Sequence, residues 1–193
     1  MAMKPKEVLI IIEPKDMFVG SDTASVTLMM FGDYESEECA AANEVVKTLL
    51  KKYPTELRLN YRHFPLTKIH QRAMKAGEAA VAAGQEGKFW PMHNMLFENR
   101  RNLGTITLKS YAREIGVTNK HFLEDLMNST FGWQVRGDLS TGLQMGVRDV
   151  PAFFINDELF VGKPTLLNLS TAIDKAIAAK KKAARKKVKV LAK

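Results

Sequence analysis

Between Pro65 and Pro151 the chain runs for about 80 residues with no strand signal, while short apolar, strand-like runs stand on both sides of that interval. Before it come 7–12, the continuous apolar run 26–31 (VTLMMF) and the alternating run 56–64 (ELRLNYRHF). After it come 152–155, an Asn156-Asp157 turn and 158–161. Apolar residues at helical spacing over 37–52 (Ala41, Val45, Val46, Leu49, Leu50) predict a helix between the second and third strands. Ser36 is its natural N-cap, Glu37 and Glu38 suit the positive end of the helix dipole, and Pro54 stops it. The interval itself predicts five helices, over 73–83, 89–99, 107–115, 120–127 and 134–145, the third and fifth ended by Gly116 and Gly146. A final helix starts near Thr165. The order is therefore β-β-α-β, a helical block, then β-β-α. This is an α/β chain with one mixed sheet and a helical insertion, divided as 1–65 with 146–179 for the sheet domain, 66–145 for the inserted subdomain, and 180–193 as a tail.

The chemistry sits where the run 26–31 meets the first helix. A strand leading into a helix with C-x-x-C at the join builds a dithiol redox site. Here the four residues are Ser36-Glu37-Glu38-Cys39, and Cys39 is the single cysteine of the chain. Thiol-disulfide exchange needs a thiolate to attack and a second thiol to resolve the mixed disulfide. A serine hydroxyl supplies neither. Glu37 and Glu38 should raise the pKa of a nearby thiol and repel anionic thiols. Cys39 is thus open to two readings, a small buried apolar residue or a monothiol. None of the four histidines makes a recognised metal spacing, and no metal is expected. Most of the ten methionines, among them Met29, Met30, Met74, Met92, Met95, Met127 and Met145, are expected to fill core gaps, a few to line a binding surface.

Four stretches in order, FVGSDTASVTLMMFGDYESEEC, YRHFPL, GKFWPMHNMLFEN and GVRDVPAFFIN, resemble the DsbA-like branch of the thioredoxin superfamily. The resemblance covers about 15–178. It implies a thioredoxin fold with an all-helical insertion and a thiol-disulfide oxidoreductase ancestry. It places Ser36 at the attacking cysteine, Cys39 at the second, Pro151 at the family's cis-proline and Val150 just before it. Met30 stands where many members hold a buried glutamate. Dithiol activity is accordingly expected to be weak or lost.

Three functional readings remain open at this stage. One is a degenerate oxidoreductase-family member. A second is a glutathione-dependent monothiol or transferase-like enzyme acting through Ser36 and Cys39, since kappa-class glutathione transferases of similar fold use a serine at this place. A third is a module that binds a peptide or protein in the groove at Val150 and Pro151, with Glu37 and Glu38 alongside. No cofactor is required, apart from glutathione in the second reading.

The segment 180–193 (KKKAARKKVKVLAK), from Lys180 to Lys193, holds eight Lys and Arg and no acid. Of 29 basic residues 21 remain outside it, matching the 21 acids, so the net charge of +8 lies in this segment. Such a run can meet nucleic acid or an anionic membrane. We read it instead as the solvated end of the last helix. No apolar run approaches the ~18 residues of a membrane span. The apolar stretch 8–12 is shorter than the ~7–15 residues of a secretory signal core, and one cysteine forms no intramolecular disulfide. The expected compartment is cytoplasmic.

Overall fold

A computed structural model describes residues 17–191, with side chains to residue 184. The strand expected over 7–12 lies outside the described residues. The elements are β1 (Met17–Gly20), β2 (Val26–Gly32), α1 (Glu37–Lys52), β3 (Leu57–His63), α2 (Ala73–Gly84), α3 (Phe89–Glu98), α4 (Thr105–Glu114), α5 (Phe122–Met127), α6 (Gly132–Gln144), β4 (Ala152–Ile155), β5 (Glu158–Leu159) and α7 (Leu166–Leu191). The sequence predicts a turn at Gly20-Ser21-Asp22 and no strand over 17–20, where β1 lies. In place it pairs antiparallel with β3, Met17 opposite Tyr61.

The sheet order is β1-β3-β2-β4-β5. The pair β2 and β3 is parallel and is bridged by α1, whereas β2 with β4 and β4 with β5 are antiparallel. This is the mixed sheet with helices that the sequence predicts, and the five helices α2 to α6 stand between β3 and β4 as the insertion. As the central strand, β2 is apolar apart from Thr27, and Val26, Leu28, Met30 and Phe31 are fully buried. Met30 packs in the sheet between Tyr61 and Phe153 of the flanking strands. Of the methionines, Met30 and Met92 fill the core as expected, but Met127 is 71% exposed.

Small residues let the insertion close around α2. Ala76, Ala79, Ala80, Ala82 and Ala83 are all buried, and the helix contacts α3, α4, α5 and α6. Its one buried acid, Glu78, is paired with Lys75 at 2.8 Å. The insertion is tied to the sheet by Asp138 of α6. Its carboxylate accepts from the Arg62 guanidinium at 2.8 Å and from the His63 backbone N–H at 3.1 Å.

Two glycines of α6 make a paired test of this packing. A Cβ at Gly142 would lie 2.7 Å from the Phe64 ring and 3.0 Å from the Phe31 ring, both buried. At Gly137 nothing lies within 4 Å. Gly142→Ala is expected to lower stability by about 1–3 kcal/mol through overpacking. Gly137→Ala should raise it by up to about 1 kcal/mol through helix propensity. Urea titration of the two variants checks both signs.

Candidate functional site

The site forms where β2 ends. The chain leaves Gly32, turns through Asp33, Tyr34 and Glu35, and enters α1 at Ser36. Ser36 is extended at the cap (φ −70°, ψ 130°), and its hydroxyl oxygen accepts the Cys39 backbone N–H at 3.1 Å. The same hydroxyl donates to Glu38 Oε2 at 3.1 Å. The expected N-cap is therefore present, and it occupies the serine fully. Ser36 is only 3% exposed.

Cys39, one turn into α1, is wholly buried. Its Sγ accepts the Asp33 backbone N–H at 3.5 Å. Burial pushes the thiol pKa up to about 11, against the pull of the Ser36 hydroxyl and the Asp33 N–H; the Asp33 and Glu38 charges add to the rise. The expected direction is right and its cause differs. Burial leads, and of the two glutamates only Glu38 contributes. Glu37 is drawn away into an ion pair with Arg100 at 2.6 Å. The Glu38 carboxylate is held below the usual range by its own backbone N–H and by the Ser36 hydroxyl.

Beneath these residues lies Asp33, which the sequence reading passed over. Its carboxyl is fully buried and takes three donors: the Glu35 N–H at 2.7 Å, the Leu66 N–H at 2.8 Å and His70 Nδ1 at 2.9 Å. Leu66 and His70 belong to the stretch leading into α2, so one side chain joins the S-x-x-C turn to the insertion. The signal available in sequence is an acid directly after a mostly apolar strand. A second buried chain runs from Tyr34 Oη to His93 Nδ1 (3.0 Å) and from His93 Nε2 to Asn43 Oδ1 (3.0 Å). Burial lowers the His93 pKa well below its ordinary value and keeps the ring neutral.

Beside the helix start lies an open groove of about 670 Å³. Ala41, Ala42 and Val45 of α1, Val150, Pro151, Pro164 and Leu166 give it an apolar surface, with Glu38, Asp149, Lys163 and Thr165 as its polar members. Of the residues expected at a binding surface, the groove thus gathers Glu38, Val150 and Pro151, while Glu37 is absent from its lining. The Val150–Pro151 peptide is cis. The Val150 backbone N–H is already taken, donating to Asp149 Oδ1 at 2.8 Å. Among the described residues no cluster of three or more His, Cys, Asp or Glu side chains could hold a metal ion, and no helix is long and apolar enough to cross a membrane.

Comparison with known proteins agrees with this architecture. Among solved structures, BdbD from Bacillus subtilis in its oxidised form superposes with a TM-score of 0.77 over 84% of this chain and 93% of that one, at 21% identity. A thioredoxin-like oxidoreductase from Silicibacter pomeroyi gives 0.75 over 86% and 94%, at 25% identity. The thiol-disulfide exchange protein alpha-DsbA2 from Wolbachia pipientis gives 0.71 over 83% and 86%, at 21% identity. Among curated sequences, the Na(+)/H(+) antiporter NhaA 1 of Salinispora arenicola is 32% identical over 173 residues, which are 89% of this chain but 26% of the antiporter. The chain spans about a quarter of the length of the curated relatives it matches. A family model described as Thioredoxin matches residues 13–175, and with the mixed five-stranded sheet and helical insertion described above, the chain belongs to the thioredoxin family and has the fold of its DsbA-like thiol-disulfide oxidoreductases.

Proposed function

We propose that this chain is a polypeptide-binding member of that oxidoreductase family in which dithiol exchange has been lost. One contrast carries the reading. The single sulfur of the site is buried and held protonated, while the apolar groove beside it is open. Exchange requires a thiolate that can reach a disulfide sulfur. The family resemblance puts Ser36 at the attacking position, and its hydroxyl is committed to capping α1. Binding needs no sulfur. An extended segment can lie in the groove and pair with the loop backbone at Val150, just before β4, through the main-chain hydrogen bonds by which extended peptides are held.

Holding glutathione through Ser36 gains no support from a hydroxyl that is buried and already bonded to the Cys39 N–H and to Glu38. The ion exchange named for the antiporters is not carried over, since the match covers 26% of that sequence.

The test combines two assays on the full chain. Insulin reduction is expected at the rate of buffer alone. A fluorescent seven-residue peptide of mostly apolar sequence is expected to bind saturably, and Val45→Asp in the groove should weaken it at least ten-fold. Insulin reduction by the native chain at the rate of an intact C-x-x-C relative overturns the redox half of the proposal. Absence of peptide binding overturns the other half, and specific retention on a glutathione column would favour the transferase-like reading. Ser36→Cys should return some exchange activity, limited by the burial of Cys39.

A further inference from the structure

The groove carries a device of its own at Asp149. A segment that pairs with the loop backbone at Val150, just before β4, would offer a carbonyl to the Val150 N–H. That N–H is instead satisfied by the neighbouring Asp149 carboxylate, at 2.8 Å. The Asp149 carboxylate therefore holds the place that a ligand carbonyl would take. An unpaired backbone N–H is costly, which is why a local acceptor fills the place.

The groove's dimensions and charges define what can replace it. Glu38 and Val45 both line it and are seven residues apart on α1, about 10 Å of helix at ~1.5 Å per residue. That length spans about three residues of extended chain at ~3.3 Å each. Its surface is apolar; the exposed Leu167 directly follows the lining residue Leu166, and the exposed Val161 lies two residues before the lining residue Lys163. Its charged members are two carboxylates, Glu38 and Asp149, against one ammonium, Lys163. Glu38 is exposed, and its bonds to Ser36 and to its own N–H hold it ionised.

Resting on the polypeptide-binding reading above, we propose that the groove selects an extended segment of about three residues with apolar side chains flanked by a lysine or arginine. The incoming carbonyl takes the Val150 N–H, Asp149 swings free, and the released carboxylate acts with Glu38 on the cationic side chain. Asp149 is thus both the competitor of the incoming carbonyl and a specificity determinant for the bound segment. No bond is made or broken beyond hydrogen bonds and ion pairs.

The experiment uses the full chain and three fluorescent seven-residue peptides with one apolar core, differing only in a flanking Lys, Gln or Glu. Fluorescence anisotropy at low salt should rank them Lys, Gln, Glu, with steps of about five-fold, the scale of exposed ion pairs. The three affinities should converge near 1 M salt, where the screening length falls to ~3 Å. Asp149→Ala should tighten the Gln peptide, because the N–H is vacated in advance, while shrinking the preference for Lys. Glu38→Gln should shrink that preference without the tightening. Equal affinities for the three peptides overturn the selection and leave the peptide-binding reading standing. A Lys preference that survives in a Glu38→Gln, Asp149→Ala double variant overturns the assignment to these residues. Self-association of the chain that competes with the peptides would assign the groove to a second copy and overturn the proposal. If none of the three peptides binds, the peptide-binding reading itself falls, and this one with it.

Discussion

Iodoacetamide is expected to alkylate Cys39 of the native protein about 300-fold more slowly than free cysteine at pH 7. A free thiol with pKa ~8.5 is about 3% thiolate there, whereas one near 11 is about 0.01% thiolate, and only the thiolate reacts. Full burial of the sulfur slows the reaction further. The rate should climb with pH toward a midpoint near 11, and denaturant should restore the rate of a free thiol. A midpoint below ~8.5 would mean an activated thiol and would sink the proposed loss of sulfur chemistry.

The same shift makes a stability prediction. The folded state holds the Cys39 proton up to about 11, the unfolded chain only up to ~8.5, so the folded state binds more protons between these values. The contribution is fully present below pH ~8.5 and is lost as pH rises toward 11, by about 3 kcal/mol at the limit. Cys39→Ala should flatten this alkaline decline while leaving the trend near neutral pH unchanged, as read by urea titration at pH 7, 9 and 10.

Replacing Asp33 should damage the fold more than any change at Ser36 or Cys39. Asp33→Ala removes the acceptor for two backbone N–H groups and for His70 in a place closed to water. Breaking a buried, hydrogen-bonded pair by deleting one partner costs about 3–5 kcal/mol. His70→Ala removes one of the three partners from a partly exposed position and should cost about 1 kcal/mol. Ser36→Ala, a lost cap, belongs on the same ~1 kcal/mol scale. A drop of less than ~1 kcal/mol in Asp33→Ala would show that the carboxyl is not the joint between the S-x-x-C turn and the insertion.

The elements that were legible in the sequence are those whose pattern is local. The apolar run of β2 marks a buried strand, and Ser36 with its two following glutamates marks a helix start. The capping bond and the burial of Met30 are what such residues produce on their own. What escaped was made by contacts between distant segments. Asp33 meets Leu66 and His70, 33 and 37 residues away, and nothing in the local spacing announces that meeting. The strand β1 is held by its register with β3, more than by its own four residues. The cause of the Cys39 pKa shift was misassigned for a related reason. Neighbouring charges are visible in a sequence, while the burial that outweighs them is set by the packing around α1. The Asp149 contact is local yet silent, because an aspartate before valine has many uses outside a folded groove.

The sheet order also sets a timetable. As the central strand, β2 gains β3 about thirty residues later in the chain but must wait for β4, and the bond from the Thr27 N–H to Asn156 Oδ1 spans 129 residues. At a synthesis rate of ~5–20 residues per second, that wait is roughly ten seconds. During it the central strand of the sheet has one unpaired edge, the kind of surface that recruits stray strands. The groove does not exist in that interval either, since Asp149 to Leu166 form its second wall. A nascent chain therefore exposes an edge that other strands can pair with well before it could hold a segment of any other chain in its groove.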